Sequence, residues 1–169
     1  MKIGDRIRIT RKINKITIND LANFLGISAP TLRKIEANEL FINYDLIKRL
    51  LENPVFTKDH KEIEEYYYNQ ELSKKVLVQV KSERIYIIIP KDIAIGFNLN
   101  ENNEIYCTYL TNKIILQHEE NDDYIFEKRK IIKDRYSFIF FIGQKLKNLQ
   151  GREVRLTLNL RKKILMITY

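Results

Sequence analysis

Thr17-Ile-Asn-Asp-Leu-Ala-Asn-Phe-Leu-Gly-Ile-Ser-Ala-Pro-Thr-Leu-Arg-Lys-Ile-Glu36 decides how the N-terminal part of this chain folds. Thr17, with Asp20 three residues on, makes a variant capping box that starts a helix. Gly26 can take the left-handed conformation that ends this helix and turns the chain. Ser28 is a second N-cap, and Pro30 falls in the first turn of the helix it opens, where a missing N–H costs nothing. Leu32 and Ile35 then return at helical spacing to pack beneath Leu21, Leu25 and Ile27, and Ala22 is small where the second helix must come close. Start, stop, turn and core positions agree on a helix-turn-helix.

Outward from this motif, residues 2–57 read as four or five short helices. Ile3, Ile7 and Ile13 give the first a stripe to bury, with Arg6, Arg8, Arg11 and Lys12 as its basic remainder. Tyr44, Leu46, Ile47, Leu50 and Leu51 form another amphipathic stretch that stops near Pro54. Residues 58–73, Lys58-Asp-His-Lys-Glu-Ile-Glu-Glu-Tyr-Tyr-Tyr-Asn-Gln-Glu-Leu-Ser73, read as an acidic, partly helical linker. Its Tyr66–Tyr68 run is expected to cover a seam between domains, with base stacking the sharper alternative.

From Val76 the period changes to two. Strands are expected near 76–81, 84–89, 104–110, 113–117, 124–132, 136–142, 153–158 and 163–168, rich in Ile, Val, Tyr and Phe. Short helical stretches are expected around Asp92–Ile95 and Gln144–Asn148. The spacing therefore predicts an α+β chain: an all-α domain at 1–57, the linker at 58–73 and a mostly β domain at 74–169. The β part contains a weak internal repeat. Arg84-Ile-Tyr-Ile-Ile-Ile-Pro-Lys-Asp-Ile, Asn102-Asn-Glu-Ile-Tyr and Asn112-Lys-Ile-Ile-Leu are answered by Arg135-Tyr-Ser-Phe-Ile-Phe-Phe-Ile-Gly-Gln, Gly151-Arg-Glu-Val-Arg and Lys162-Lys-Ile-Leu-Met-Ile. Glu104 and Glu153 stand 49 positions apart, as do Lys113 and Lys162.

The 169 residues are enough for one large domain or several small ones with unstapled cores. A net charge of +8 divides unevenly: residues 1–57 hold 10 basic and 6 acidic groups, 58–73 hold 2 and 5, and 74–169 hold 18 and 11. Two basic segments on either side of an acidic one suit a polyanionic partner, because each Lys or Arg that meets a phosphate releases counterions. No run of 18 or more apolar residues is present, and no apolar signal segment follows Met1, so the expectation is a cytoplasmic, nucleoid-associated protein without a membrane partner. The single cysteine, Cys107, lies in an alternating strand pattern and reads as a structural thiol. His60 and His118 have no neighbours at metal-ligand spacing, so neither metal nor other cofactor is expected. No Gly-rich phosphate loop, nucleophile elbow or catalytic histidine arrangement appears, and paired acids such as Glu64-Glu65, Glu119-Glu120 and Asp122-Asp123 read as solvated loop charge. An enzyme is not expected.

Residues 3–52 resemble the lambda-repressor/Cro-like (XRE-type) helix-turn-helix family at Ile3-Gly4, Leu21-Ala22, Leu25-Gly26, Ile35-Glu36 and Asn38, besides the core positions above. The resemblance implies that the helix opening at Ser28 is a recognition helix, with Ser28, Ala29, Pro30, Arg33, Lys34 and Ala37 toward the groove. Arg33 would make a bidentate contact to guanine, worth about 1–3 kcal/mol of discrimination. Lys34 would reach a base edge or a phosphate, and Ala29 and Pro30 would meet thymine methyl groups. Thr17 and Asn19, at the positive end of the preceding helix, would bind phosphate, and Asn38 joins the expected DNA-binding set. The chain departs from the family at Ile18, where glutamine is frequent, and at Ala29-Pro30, which replaces polar residues.

The β part resembles the SpoVT-AbrB swapped-hairpin family over residues 76–117, on Ile87-Ile-Ile-Pro-Lys-Asp-Ile, Leu99, Asn103-Glu-Ile and Lys113-Ile-Ile-Leu. Residues 124–169 are a degenerate second copy. In that family two such units interleave hairpins into one barrel; here two repeats would pair within one chain, or four would join two chains. The resemblance implies a dimerisation module, with Lys81, Arg84 and Lys91 near places where the family touches DNA. Lys128-Arg129-Lys130, Lys133 and Arg135 form the densest basic cluster, a solvated strand face or a second phosphate contact.

These readings lead to a sequence-specific transcriptional regulator that binds double-stranded DNA as a homodimer. Its recognition helices would lie about one turn apart, roughly 34–36 Å, on a near-palindromic site. The alternative is an antitoxin that binds its own operator and a partner toxin; both resemblances occur in antitoxins, although this chain runs in strand pattern to Tyr169.

Overall fold

The computed structural model of the chain describes residues 1–70, 72–100, 104–120, 125–135 and 137–169. Asn102, Asn103, Asp122, Asp123, Tyr124 and Tyr136 of the expected motifs lie outside them. Two compact units appear, Met1–Gln70 and Glu71–Tyr169. Among the described residues no helix is long and apolar enough to cross a membrane.

The first unit holds α1 (Ile3–Ile13), α2 (Ile18–Leu25), α3 (Ala29–Glu36), α4 (Tyr44–Glu52), α5 (Pro54–Thr57) and α6 (His60–Tyr68). Polar side chains start most of these helices. Thr17, Ser28, Asn43 and Asn53 each accept a backbone N–H from the first turn of the helix that follows. Gly26 ends α2 at φ 68°, while its own N–H and that of Ile27 bond back to Asn23 and Ala22, the double bond of a Schellman turn. Ile3, Ile7, Leu21, Leu25, Leu32, Ile35, Ile42, Ile47, Leu50, Phe56 and Ile63 form the core.

Two expectations for this unit are corrected, and the arginines of α1 find partners. Ile13 is 73% exposed, not buried. At about 100° per residue it lies well round the helix from Ile3 and Ile7, and Gly4 and Thr10 complete the buried face instead. Of the basic remainder of α1, the three arginines are paired within the fold. Arg6 pairs with Asp59 and Glu62 at 2.7 Å, Arg8 with Asp5 at 2.9 Å, and Arg11 with Glu36 at 2.6 Å. Finally, residues 58–73 are not a linker. Their helix α6 buries Ile63 and Tyr67 in the first unit, and the segment's end is already strand in the second.

Tyr67 packs against Phe41 and Tyr44, with ring centroids 6.1 and 5.6 Å away, so the tyrosine run serves this unit's own core. Burial first, and then the neighbouring Tyr68 and Tyr44, push the Tyr67 phenol from 10.0 up to about 12. The fold therefore favours the neutral phenol. Stability should be fully present below pH 10 and fall on the order of 2 kcal/mol as the pH rises toward about 12. Urea titrations across that window should show the fall, and Tyr67→Phe should lessen it for the helical unit. An equally steep fall in the variant would place the titrating group elsewhere.

Among the described residues the second unit is one sheet of nine antiparallel strands in the order β1-β8-β9-β5-β4-β6-β7-β3-β2. They are β1 (Leu72–Leu77), β2 (Gln79–Lys81), β3 (Arg84–Ile89), β4 (Glu104–Tyr109), β5 (Lys113–Gln117), β6 (Glu127–Asp134), β7 (Ser137–Phe141), β8 (Glu153–Asn159) and β9 (Ile164–Thr168). The helix α7 (Lys91–Gly96) follows β3, and a 3₁₀ segment, Gln144–Leu149, follows β7. The sheet's two end strands are consecutive in the chain, divided only by the buried Val78, so the sheet is nearly closed and barrel-like. The expected strand at 76–81 breaks there. Val78 donates to Arg152 O and accepts from Gly151 N, which satisfies its backbone outside the ladder.

The repeat is built into the pairing. β3 meets β7 with Ile88 opposite Ile139, 51 positions apart as Arg84 and Arg135 are, and β5 meets β9 with Leu116 opposite Leu165, 49 positions apart as Lys113 and Lys162 are. Corresponding strands thus face one another as around a two-fold axis. Each repeat also lends its leading strand to the other, β1 to β8 and β6 to β4. Of the two arrangements open at the sequence level, the structure shows pairing within one chain. Cys107 is buried between these strands, and burial holds its thiol up near about 11, so it is protonated at neutral pH.

Candidate nucleic-acid interface

The candidate interface is the outer side of α3 and the start of α2. Leu32 and Ile35 are fully committed to the core, and Glu36 is buried beside them. What remains outside is Pro30, Arg33 and Lys34, all exposed, with Ala29 half-buried at the helix start. Among the described residues neither Arg33 nor Lys34 makes an ion pair, in contrast to the three arginines of α1. Ser28 is exposed, but its hydroxyl accepts the Thr31 N–H at 3.2 Å and lies 2.7 Å from Thr31 Oγ1.

At the start of α2, Asn19 is exposed and projects from the first turn. Thr17 is exposed too, yet its Oγ1 accepts the Asp20 N–H at 3.1 Å and donates to Asp20 Oδ2 at 2.6 Å. Asn19 is therefore the freer donor of the two, and Asp20 sets a negative charge beside it. Asn38 has a structural duty besides the one expected. It takes φ 59° after α3, and its Oδ1 accepts the Gly4 N–H at 3.0 Å. A side chain at Gly4 would collide with Ile35 O and Asn38 Oδ1, so the Gly4–Asn38 match marks a close approach of α1 to the end of α3.

Sequence reasoning missed the support beneath this face. Arg11 donates Nε and Nη2 to the two oxygens of Glu36 at 2.6 and 2.8 Å, and Nη1 to Ile16 O at 3.0 Å. One guanidinium thus joins α1, the end of α3 and the loop before α2. The Glu36 hydrogen bond holds the Arg11 pKa above its ordinary value. Arg49 does similar work at the turn, reaching Leu25 O at 3.3 Å. Side chains tied by bidentate geometry fix a helix's orientation more firmly than apolar contact alone.

The expected secondary contacts do not form one surface of free cations. Lys81 and Lys91 are exposed at the end of β2 and the start of α7. Lys128 lies over the Tyr106 ring at 5.4 Å, Arg129 bonds Glu127 at 2.7 Å, and Lys130 faces Glu104 at 3.9 Å. Arg84 covers the Phe141 ring at 5.8 Å. Alternation along β6 sends Arg129 to the opposite face from Lys128 and Lys130, which splits the basic run. Among the described residues no group of three or more His, Cys, Asp or Glu is placed to hold a metal ion. No protein-family model matches this chain, and neither a curated protein nor a solved structure does.

Proposed function

We propose that the chain is a sequence-specific DNA-binding transcriptional regulator that reads a major groove with α3. The observation that carries this reading is the division of α3 into a buried side, Leu32 and Ile35, and an exposed side whose cations are unpaired among the described residues. A solvated helix has no need of such support; here Arg11–Glu36, Asn38–Gly4 and Arg49 fix the exposed side in orientation. Arg33 reads guanine through its fork of donors, and Ala29 and Pro30 meet thymine methyl groups. Lys34 and Asn19 hold the phosphates and set the register.

Two helical units on a near-palindromic site give the affinity that one lacks. The β unit is the proposed means of association. Since its hairpins already pair within the chain, it would act through its outer surface and not by swapping.

The reading is tested by mobility-shift titration of a selected duplex. Arg33→Ala should weaken specific binding about ten- to a hundredfold while leaving random-sequence binding almost unchanged. Lys34→Ala should weaken both alike. An Arg33→Ala loss of the same size on both duplexes would show that this side chain reads no base.

A further inference from the structure

We propose that a cleft in the β unit, beside the end of β7, binds a small phosphate-bearing solute. The cleft has a volume of about 310 Å³ and is lined by Arg84, Ile85, Arg129, Lys130, Phe141 and Gly143. Its position follows from the register. β7 lies between β3 and β6, with Tyr86 opposite Phe141 on one side and Ile131 opposite Phe140 on the other. Arg84 therefore comes to the end of β7 from one flank, and Arg129 and Lys130 from the other.

Three features distinguish this cluster from ordinary surface charge. First, Arg129 Nε is shielded from solvent and has no hydrogen-bond acceptor among the described residues, although Nη2 of the same group bonds Glu127. A buried donor of that kind is costly unless something occupies it. Second, the cations outnumber their acids. Glu127 serves Arg129, the Lys130–Glu104 contact is long and exposed, and among the described residues Arg84 meets the Phe141 ring and no acid. Third, the internal repeat provides a comparison within the molecule. Arg129 stands opposite Ile105 on β4; in the answering pair, Val76 stands opposite Val154 on β8. The counterparts of Arg129 and Lys130 are thus Val76 and Leu77, so the barrel itself does not require charge at these places.

At the end of β7 the cleft takes Arg129 from one face of the sheet and Arg84 and Lys130 from the other, donors that suit a tetrahedral oxyanion with several acceptors. The volume is at the small end of ligand sites. The recessed Nε favours a compact solute over a duplex, whose backbone would meet only the exposed tips of Arg84 and Lys130. This site is independent of α3 and stands or falls apart from DNA reading.

The test uses the full chain, with inorganic phosphate and then pyrophosphate as probes at ionic strength held constant with chloride. Arginine Nε–H signals in ¹H–¹⁵N spectra and the thermal midpoint are the readouts. Saturable movement of the Arg129 signal and a rising midpoint are expected. Arg84→Gln and Arg129→Gln should each weaken the probe about tenfold or more, and Lys162→Gln should leave it unchanged. Arg84 is exposed, so its variant carries the test if Arg129→Gln does not fold. The proposal is overturned if chloride alone gives the same movement, if Lys162→Gln weakens the probe equally, or if the arginine variants lose duplex binding and keep phosphate binding.

Discussion

Glu36→Ala should destabilise the helical unit by about 3–5 kcal/mol, the range for removing one partner of a buried ion pair. Glu36 is 4% exposed and holds Arg11 through both carboxylate oxygens. Truncation leaves a guanidinium inside the fold with one remaining acceptor, Ile16 O. Since domains are stable by only about 5–15 kcal/mol, such a loss takes much of the unit's stability, and with it the orientation of α3. Glu36→Gln should cost less, because an amide oxygen still accepts one bond while its NH₂ group faces a donor. Denaturant unfolding followed by far-UV circular dichroism gives the comparison. If Glu36→Ala unfolds within about 1 kcal/mol of the parent, the pair is not what sets α1 against α3.

Phe140→Ala should cost the β unit a similar amount, about 3–5 kcal/mol. Phe140 is wholly buried and sits on β7, opposite Ile87 of the first repeat and Ile131 of the second. Its cavity opens where the two repeats meet, so both should loosen together. Amide exchange should quicken in β3 and β6 alike, and at more distant strands such as β5 and β9 whose pairing depends on the same closure. Acceleration confined to β6 and β7 would mean that the repeats fold as separate modules joined by a short seam.

Much of this architecture was legible because its signals are local. Thr17, Gly26, Ser28 and Pro30 specify starts and stops by backbone chemistry, and the structure places α2 and α3 on those marks. The β strands followed from alternation, and within the described residues the eight expected segments match the observed ones except that β1 starts earlier, at Leu72, 76–81 breaks at Val78, and β6 covers Glu127–Asp134. That break was invisible because it answers a distant need. The bend at Val78 hands the chain from one end of the sheet to the other and bonds to residues 151 and 152. The acidic segment 58–73 misled for a related reason. Its charge reads as solvation until Asp59 and Glu62 are seen to neutralise Arg6, some fifty positions earlier.

The candidate site divides in the same way. Exposure of Arg33 and Lys34 could be deduced by subtracting the core positions from a helix. The Arg11–Glu36 fork could not, since nothing in the spacing of residues 11 and 36 distinguishes a partner from a solvated charge. Position alone puts Asn38 in the DNA-binding set, and only the structure shows the structural task that its φ of 59° and its bond to Gly4 add. The choice between pairing within a chain and between chains depended on strand register, which a weak repeat leaves open.

The central claim is that the outer side of α3 reads sequence. Selection of duplexes from a randomised pool by the full chain, in parallel with its Arg33→Ala variant, tests it most directly. The account predicts enrichment of a near-palindromic motif containing a guanine whose preference disappears in the variant. A pool that stays random with the parent chain, or a motif that Arg33→Ala enriches unchanged, would contradict it.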